Sequence, residues 1–547
     1  MNLIKEELEK LIEGDVSDKN EDIVSHSSDA SIFTMQPQLV IYPKNSKDIE
    51  KIVQFVNKNK KENSNLSITG RSAGTDMSGG TITDSISLDF TRYINQIVTI
   101  DENEMSTIIE PGVYFRDFEV LADKKHLLYP AYPASKNLCA FGGMLANNSG
   151  GEKSLNFGKT EKYVESLNIV LSDGLEHTFE KLDKPALDKK MKEEGFEGEI
   201  FRKMYDLVDR NFDFIKNSKP NVSKISSGYN IWNIWDKQFF DLSQVFIGSQ
   251  GTLGMITKAK LRLIKERDKR GLVIIFLENF DHLPNLINEI LEFSPESFES
   301  FDNYTFKLAL KFIFQFSKIL GKKAIDMPLE FLPEFLLVLK ERKLPKLVLL
   351  VEFNEDDLSI VKEKTEKLIT HLKKYNNLYY RVAKNESDIE KYFAIRRESF
   401  NLLRGKIKNL KAAPFIDDII VRPQYLPEFL PKLYSILDEE KLIYTVAGHM
   451  GDGNFHIIPL MDLSKKEEKD RIFKIADKVY SLVLEYKGIF SAEHNDGLIR
   501  SPYLQMEYGD KIYEIFKEIK NIFDPLNIFN PYKKIGTTKE FSSKYII

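Results

Sequence analysis

Residues 70–80 read Gly70-Arg71-Ser72-Ala73-Gly74-Thr75-Asp76-Met77-Ser78-Gly79-Gly80, and they follow directly on LSITG (66–70), a run with the composition of a strand. Glycine permits positive φ and close backbone approach, so successive N–H groups in such a loop can converge on phosphate oxygens as an anion nest. One stretch of this kind could equally be a structural turn. Two more follow. Pro133-Ala134-Ser135 leads to Gly142-Gly143-Met144-Leu145-Ala146-Asn147-Asn148-Ser149-Gly150-Gly151, and Gly248-Ser249-Gln250-Gly251-Thr252-Leu253-Gly254 comes later, with Ile256 just beyond. None matches the P-loop or the dinucleotide fingerprint of a first strand and helix. The three together point to a cofactor held by several loops at once.

Around these loops the chain alternates short strands and helices. LVIYP (39–43) reads as a strand, and Asn45 or Ser46 caps a helix that places Ile49, Ile52, Val53 and Val56 on one face. ISLDF (86–90), STIIEPGV (106–113), SLNIVLSDG (166–174) and KAKLRLI (258–264) are further strands, giving an α+β fold class. GLVIIFLENF (271–280) with a helix at 282–293, and LVLLVEF (347–353) with a helix at 357–374, predict a second α+β unit: a small sheet covered on one side. Between them, 304–345 is rich in Phe, Leu and Lys. Its Lys307, Lys311, Lys318, Lys322 and Lys323 suit either a basic helix on an anionic membrane surface or a helical insertion packed on its own domain. The expected division is 1–35 as an N-terminal helical segment, 36–265 as the cofactor domain and 266–547 as a C-terminal substrate domain.

The 547 residues are enough for three or four domains of roughly 150 residues or two large ones. Hydrophobic residues at 42% and charged residues at 29% exclude a disordered or fibrous chain. A net charge of −5 argues against a dedicated nucleic-acid binder. Cys139 is the single cysteine, which excludes an intrachain disulfide and an iron–sulfur cluster built from this chain's own thiols. The acidic, amphipathic start MNLIKEELEKLIEG does not read as a signal peptide, and no apolar run approaches the 18 or so residues of a membrane span. A cytoplasmic protein is expected, with the inner membrane face as a possible contact.

Three of the eight histidines lie within 449–494. YTVAGH, MGDGN and FHIIP read as strand, tight turn and strand, so a hairpin folded at Gly451–Gly453 brings His449 and His456 side by side, near enough to share one ion at about 2.1 Å. A pair of histidines beside a turn can also be plain polar surface. With Glu493 of FSAEHNDG they make two imidazoles and a carboxylate, a set that leaves coordination positions open as catalytic metals require. Neighbours on a regular strand point to opposite faces, so Glu493 and His494 must lie on a bend if both reach one site.

In order and spacing, GRSAGTDMSGG, GGMLANNSGG and GSQGTLG resemble the FAD-binding domain of the vanillyl-alcohol oxidase and p-cresol methylhydroxylase superfamily, and in particular its D-2-hydroxy-acid dehydrogenase branch. The resemblance runs from Asp29-Ala30-Ser31 to Asn530-Pro531-Tyr532-Lys533. It implies a two-part FAD-binding domain and a C-terminal α+β cap. Residues 70–80 would hold the FAD pyrophosphate, 133–151 and 248–256 would wrap the flavin, and Asn530 would approach it. Gln250 stands where the family has Glu, a departure expected to alter local hydrogen bonding. Many members link FAD to a histidine of the first loop; here Ala73 takes that place and no histidine lies between Ile68 and Ile82, so the FAD is expected to be non-covalent. Cys139 is out of register for a second link.

The same resemblance makes His449, His456 and Glu493 ligands of a divalent metal (Zn, Mn or Fe), His494 the catalytic base and Arg396, in YFAIRRESF, the partner of the substrate carboxylate, with Arg397 its alternative. The implied reaction is oxidation of a 2-hydroxy acid: a Lewis acid on the hydroxyl and a base beside it ease hydride loss from C2. The hydroxyglutarate pattern of Thr, Lys and Asn is replaced by Phe400, Ile416 and Ile458, an apolar wall that favours a short acid, D-lactate first, then glycolate or a longer aliphatic acid. An alkyl-transferring ether-lipid synthase and a non-enzymatic FAD or metal carrier are the readings of another class. Without cluster-forming cysteines, electrons would leave for a quinone, a cytochrome or an electron-transfer flavoprotein.

Overall fold

The computed structural model describes residues 2–303, 305, 344–375, 378–404 and 410–547. The lysines of the expected basic helix, Lys307 to Lys323, lie outside the described residues.

Asn45 caps the helix Ser46–Asn59 by accepting from the backbone N–H of Asp48 at 3.1 Å, a contact worth about 1 kcal/mol. The helix buries Ile49, Ile52, Val53 and Val56 against Leu39, Ile41, Ile68, Ile86 and Leu88, as the 3.6-residue spacing predicts. Those strand residues belong to a four-stranded sheet. In it Leu39–Tyr42, Ile86–Asp89 and Ile68–Arg71 run parallel, and Asp15–Ser17 is the antiparallel edge. A late segment completes the other edge: the Ile68 N–H donates to the Ile528 carbonyl and the Asn530 N–H to the Ile68 carbonyl, both at 2.8 Å. A second, six-stranded antiparallel sheet is centred on Val164–Val170 and Met255–Arg262. Leu504, Ile512, Phe516 and Phe523 of the helix Leu504–Phe523 pack into its core.

The third sheet departs from expectation. It has eight strands rather than a few, because the hairpin Ile443–His449 and Asn454–Met461 joins Ser297–Asp302, Leu347–Glu355, Lys269–Leu277 and Leu378–Val382 in one antiparallel array. Both of its faces are covered. Leu283–Glu292, Leu358–Leu372, Leu426–Glu439 and Lys466–Glu485 bury their apolar stripes on one face. On the other, Ile389, Tyr392, Phe393 and Ile395 of Glu386–Arg404 meet Leu272, Ile274, Phe276, Phe301, Val348 and Leu350. The strands explain why: Leu272 to Leu277 and Leu347 to Val351 are apolar without alternation, the pattern of strands buried on both faces. No helix among the described residues is long and apolar enough to cross a membrane.

Candidate active site

The three glycine-rich loops share one cavity of about 1000 Å³ with His456 and His494, and His449 lies outside its lining. Gly70 to Met77 line one side, Pro133 to Ser135 and Gly142, Gly143, Asn147, Ser149 and Gly150 a second, and Gly251, Gly254 and Ile256 a third, while Arg396, Arg397, Asp417, His456, Glu493 and His494 close the far end. A Cβ added at Gly143 would meet no protein atom within 4 Å, so this backbone lies bare to the cavity. At Gly150 a Cβ would crowd Ser154 Oγ and come within 3.1 Å of Glu493 Oε2, so only glycine lets the second loop approach the histidine cluster this closely. Large and walled in part by bare glycine backbone, the cavity suits a dinucleotide.

Ser78, Gly79, Gly151, Thr252 and Asn530 stand behind that wall. Asn530 Nδ2 donates to the carbonyls of Gly80 and Gln250 at 2.8 and 2.7 Å, tying the first loop to the third. Gln250 Nε2 donates to Ser78 Oγ at 3.0 Å while its Oε1 accepts from the Gly497 N–H at 2.8 Å. A carboxylate could accept in this way but not donate, so the Gln shapes the local bonding as its departure from the family suggested. Cys139 is buried, and burial pushes its thiol up to about 12.

The hairpin register pairs His449 with Asn454 and Ala447 with His456, so the two histidines are diagonal neighbours on one face with ring centroids 5.2 Å apart. Glu493 Oε1 lies 3.1 Å from His449 Nε2 and 3.3 Å from His456 Nε2. Glu299 Oε1 takes His449 Nδ1 at 2.8 Å and Asp417 Oδ1 takes His456 Nδ1 at 3.2 Å. Carboxylates only accept, so both Nδ1 atoms carry hydrogens and, in the neutral rings, both Nε2 lone pairs face a carboxylate oxygen. Only a cation or added protons can fill the space between them. Donors held about 2.1 Å from a tetrahedral ion lie about 3.4 Å from one another, close to the separations found. The residues therefore fit a divalent metal.

Asp418, His456, Glu493 and His494 also each offer a donor atom within 4.8 Å of the others. His494 stacks on His456 at 4.8 Å, its Nδ1 held by Asp417 Oδ2 at 2.7 Å. The bend that brings Glu493 and His494 to one place is built by Asp418, whose Oδ2 accepts both of their backbone N–H groups at 2.9 and 2.7 Å. Burial opposes charge at each of these groups, yet the two imidazoles hold Asp417 well below the usual carboxylate range. Asp417 and Glu493 raise His456 to about 10, and Asp417 raises His494 as well. Glu493 is likewise held well below its ordinary value against burial, by Lys224 and then His449. Lys224 Nζ, itself buried, lies 3.1 Å from Glu493 Oε2 and 3.2 Å from Asp452 Oδ2.

Asp417, Asp418, Glu299 and Lys224 were not picked out from the sequence. Two adjacent acids inside the apolar run FIDDIIV are a usable signal for the first two; Glu299 and Lys224 carry none. Of the expected apolar wall, Ile458 lines the cavity. Ile416 does not, being part of the core, and the lysine that does is Lys411, on the first strand after the Arg396 helix. The Phe400 side chain lies outside the described residues.

Residues 37–180 match the FAD binding domain family, and residues 267–534 match the C-terminal domain of FAD linked oxidases. The chain carries the two domains of an FAD-linked oxidase. The chain is 26% identical over 512 residues to a D-2-hydroxyglutarate dehydrogenase of Pseudomonas putida, covering 93% of the chain and 49% of that relative. It is 25% identical to the glycolate oxidase subunit GlcD of Bacillus subtilis (94% and 93% covered) and 24% identical to a D-lactate dehydrogenase of Anaerostipes hadrus (94% and 92%). The chain spans about half the length of the hydroxyglutarate dehydrogenases of Pseudomonas putida, Haemophilus influenzae and Escherichia coli. Substrate-bound p-cresol methylhydroxylase superposes with a TM-score of 0.69 at 13% identity, covering 98% of this chain and 97% of that one, which shows the shared two-domain fold.

Proposed function

We propose that this protein is an FAD-dependent, metal-assisted dehydrogenase of D-2-hydroxy acids, with D-lactate its first substrate and glycolate or a longer aliphatic acid the alternative. The observation that carries the reading is the meeting of three FAD-type loops with His456, Glu493 and His494 in the lining of one cavity, with His449 just behind them, its Nε2 3.1 Å from Glu493 Oε1. When bound, FAD supplies the hydride acceptor and the metal a Lewis acid on the C2 oxygen. Arg396 pairs with the substrate carboxylate as a charge-assisted donor. His494 takes the hydroxyl proton at Nε2, its Nδ1–H being committed to Asp417. Two electrons and two protons leave the acid, which becomes a 2-oxo acid. The electrons pass on to a quinone, a cytochrome or an electron-transfer flavoprotein.

Lys411 favours a second reading. A cation in the cavity wall could receive a distal acidic group, which would extend the range to 2-hydroxy diacids. Anaerobic bleaching of the bound flavin by a panel of D- and L-2-hydroxy acids, including a diacid, tests both. Bleaching by D-lactate supports the first, preference for the diacid supports the second, and no bleaching by any member refutes the proposal.

The FAD is proposed to be non-covalent. Acid precipitation should therefore leave a colourless pellet and a yellow supernatant; flavin retained on the polypeptide would refute this. A pH profile checks the base. His494 must be neutral to accept a proton, and Asp417 raises its pKa, so kcat/KM climbs with pH along a limb above the ordinary imidazole value of 6.5. Asp417→Asn removes the raising carboxylate, and the limb should move to lower pH. An unmoved limb would take the proton acceptor away from His494.

A further inference from the structure

We infer that Glu299 is a positioning residue shared by the metal site and the substrate-carboxylate site, and that it sets the strength of both. The inference rests on the reading of His449 as a metal ligand and Arg396 as the carboxylate partner. Glu299 lies on the strand Ser297–Asp302, next to the hairpin strand Ile443–His449. The pairing Ser300 with Gly448 and Phe301 with Ala447, continued by one residue, sets Glu299 directly opposite His449. Period-two alternation puts Glu299 on the face of Phe301, which is the face covered by the Arg396 helix. Its two oxygens are divided between the two sites. Oε1 takes His449 Nδ1 at 2.8 Å, and Oε2 lies 2.5 Å from Arg396 Nε. All three side chains are at least 96% buried, which strengthens the contacts among them.

The consequences follow from what each partner can offer. By accepting from Nδ1–H, Glu299 fixes the tautomer that turns the His449 Nε2 lone pair toward Glu493 and the gap. By lying as a buried counter-ion beside Nε, it holds the guanidinium in place and leaves the terminal nitrogens to bind a carboxylate. Arg396 Nη2 stands 3.3 Å from His449 Nδ1, so two N–H donors face one another and the Glu299 carboxylate beside them supplies the acceptor they lack. A glutamine at 299 has one accepting oxygen and one donating nitrogen. It can serve His449 or Arg396, but not both.

The test uses the FAD-loaded full chain. The dissociation constant of Mn²⁺ is measured by chelator competition without substrate, and KM and kcat for D-lactate at saturating Mn²⁺. In Glu299→Gln, Mn²⁺ affinity is expected to fall 10- to 100-fold, about the loss seen when ligand-orienting partners are removed, or KM to rise at least tenfold, depending on which partner the amide oxygen keeps. The melting temperature and FAD content should stay close to wild type. Should Glu299→Gln fail to fold, Glu299→Asp replaces it: the shortened carboxylate reaches only one partner, so one of the two constants must still move tenfold. Both constants within twofold of wild type overturn the inference, as does a variant that loses only thermal stability. Wild-type protein that takes up no Mn²⁺, Zn²⁺ or Fe²⁺ overturns the metal reading itself, and the assignment of Glu299 with it.

Discussion

Glutamine at position 494 lowers turnover of the 2-hydroxy acid by about 10²- to 10⁴-fold, the range lost when a positioned general base is removed. The amide has nearly the shape of the imidazole edge but cannot take a proton near neutral pH. His494 lies in none of the three loops that line the dinucleotide end of the cavity, so FAD content should be unchanged, and KM should move far less than kcat because the carboxylate still meets Arg396. Stopped-flow bleaching of the flavin under anaerobic conditions reads the affected step directly. A His494→Gln variant that bleaches at the wild-type rate would move the base elsewhere in the cluster.

Loss of the metal should be equally severe and separable from loss of the flavin. Prolonged treatment with a strong chelator abolishes D-lactate oxidation and leaves the protein yellow, and His449→Ala or His456→Ala imitates the chelator. The reason is local. The ligands come from the hairpin and from the bend at Glu493, while the flavin loops come from residues 70–80, 133–151 and 248–256, all outside the cap sheet. Removing one imidazole leaves Glu493 with fewer partners, but Lys224 remains its main counter-charge, so the variant should still fold. Restoring Mn²⁺, Zn²⁺ or Fe²⁺ to the chelated wild type should restore turnover, and should not rescue the alanine variants. Full activity in metal-free protein would end the metal assignment.

The sequence was most legible where local chemistry decides structure. The helix at 46–59 follows from Asn45 and the spacing of Ile49, Ile52, Val53 and Val56, and the glycine loops announce themselves by composition. The hairpin at 443–461 follows from its turn, which is why His449 and His456 were found as a pair. What escaped was set by long-range pairing. Glu299 meets His449 across 150 residues and Lys224 meets Glu493 across 269, and in isolation each is an unremarkable charged residue. The second face of the cap sheet escaped for the same reason: Glu386–Arg404 shows its arginines in the sequence, but not the sheet it covers. Counting along the motif puts Ile416 in the cavity wall, whereas the strand Lys411–Ala412 lines the cavity and Ile416 lies in the core.

The edge contact of Ile528 and Asn530 with Ile68 bears on how the molecule is made. Thr69 and Asn530, which bond side chain to side chain, are separated by 461 residues. During synthesis the first sheet must therefore wait, with the Ile68–Arg71 edge unpaired and open to wrong partners, while the whole cap is translated. Closing so long a loop is a late, slow, high-contact-order event, of the kind that exposes nascent chains to aggregation. Asn530 also braces the first and third loops, so the nucleotide cradle takes its final shape only when this segment has left the ribosome, and flavin uptake follows translation of the cap rather than preceding it.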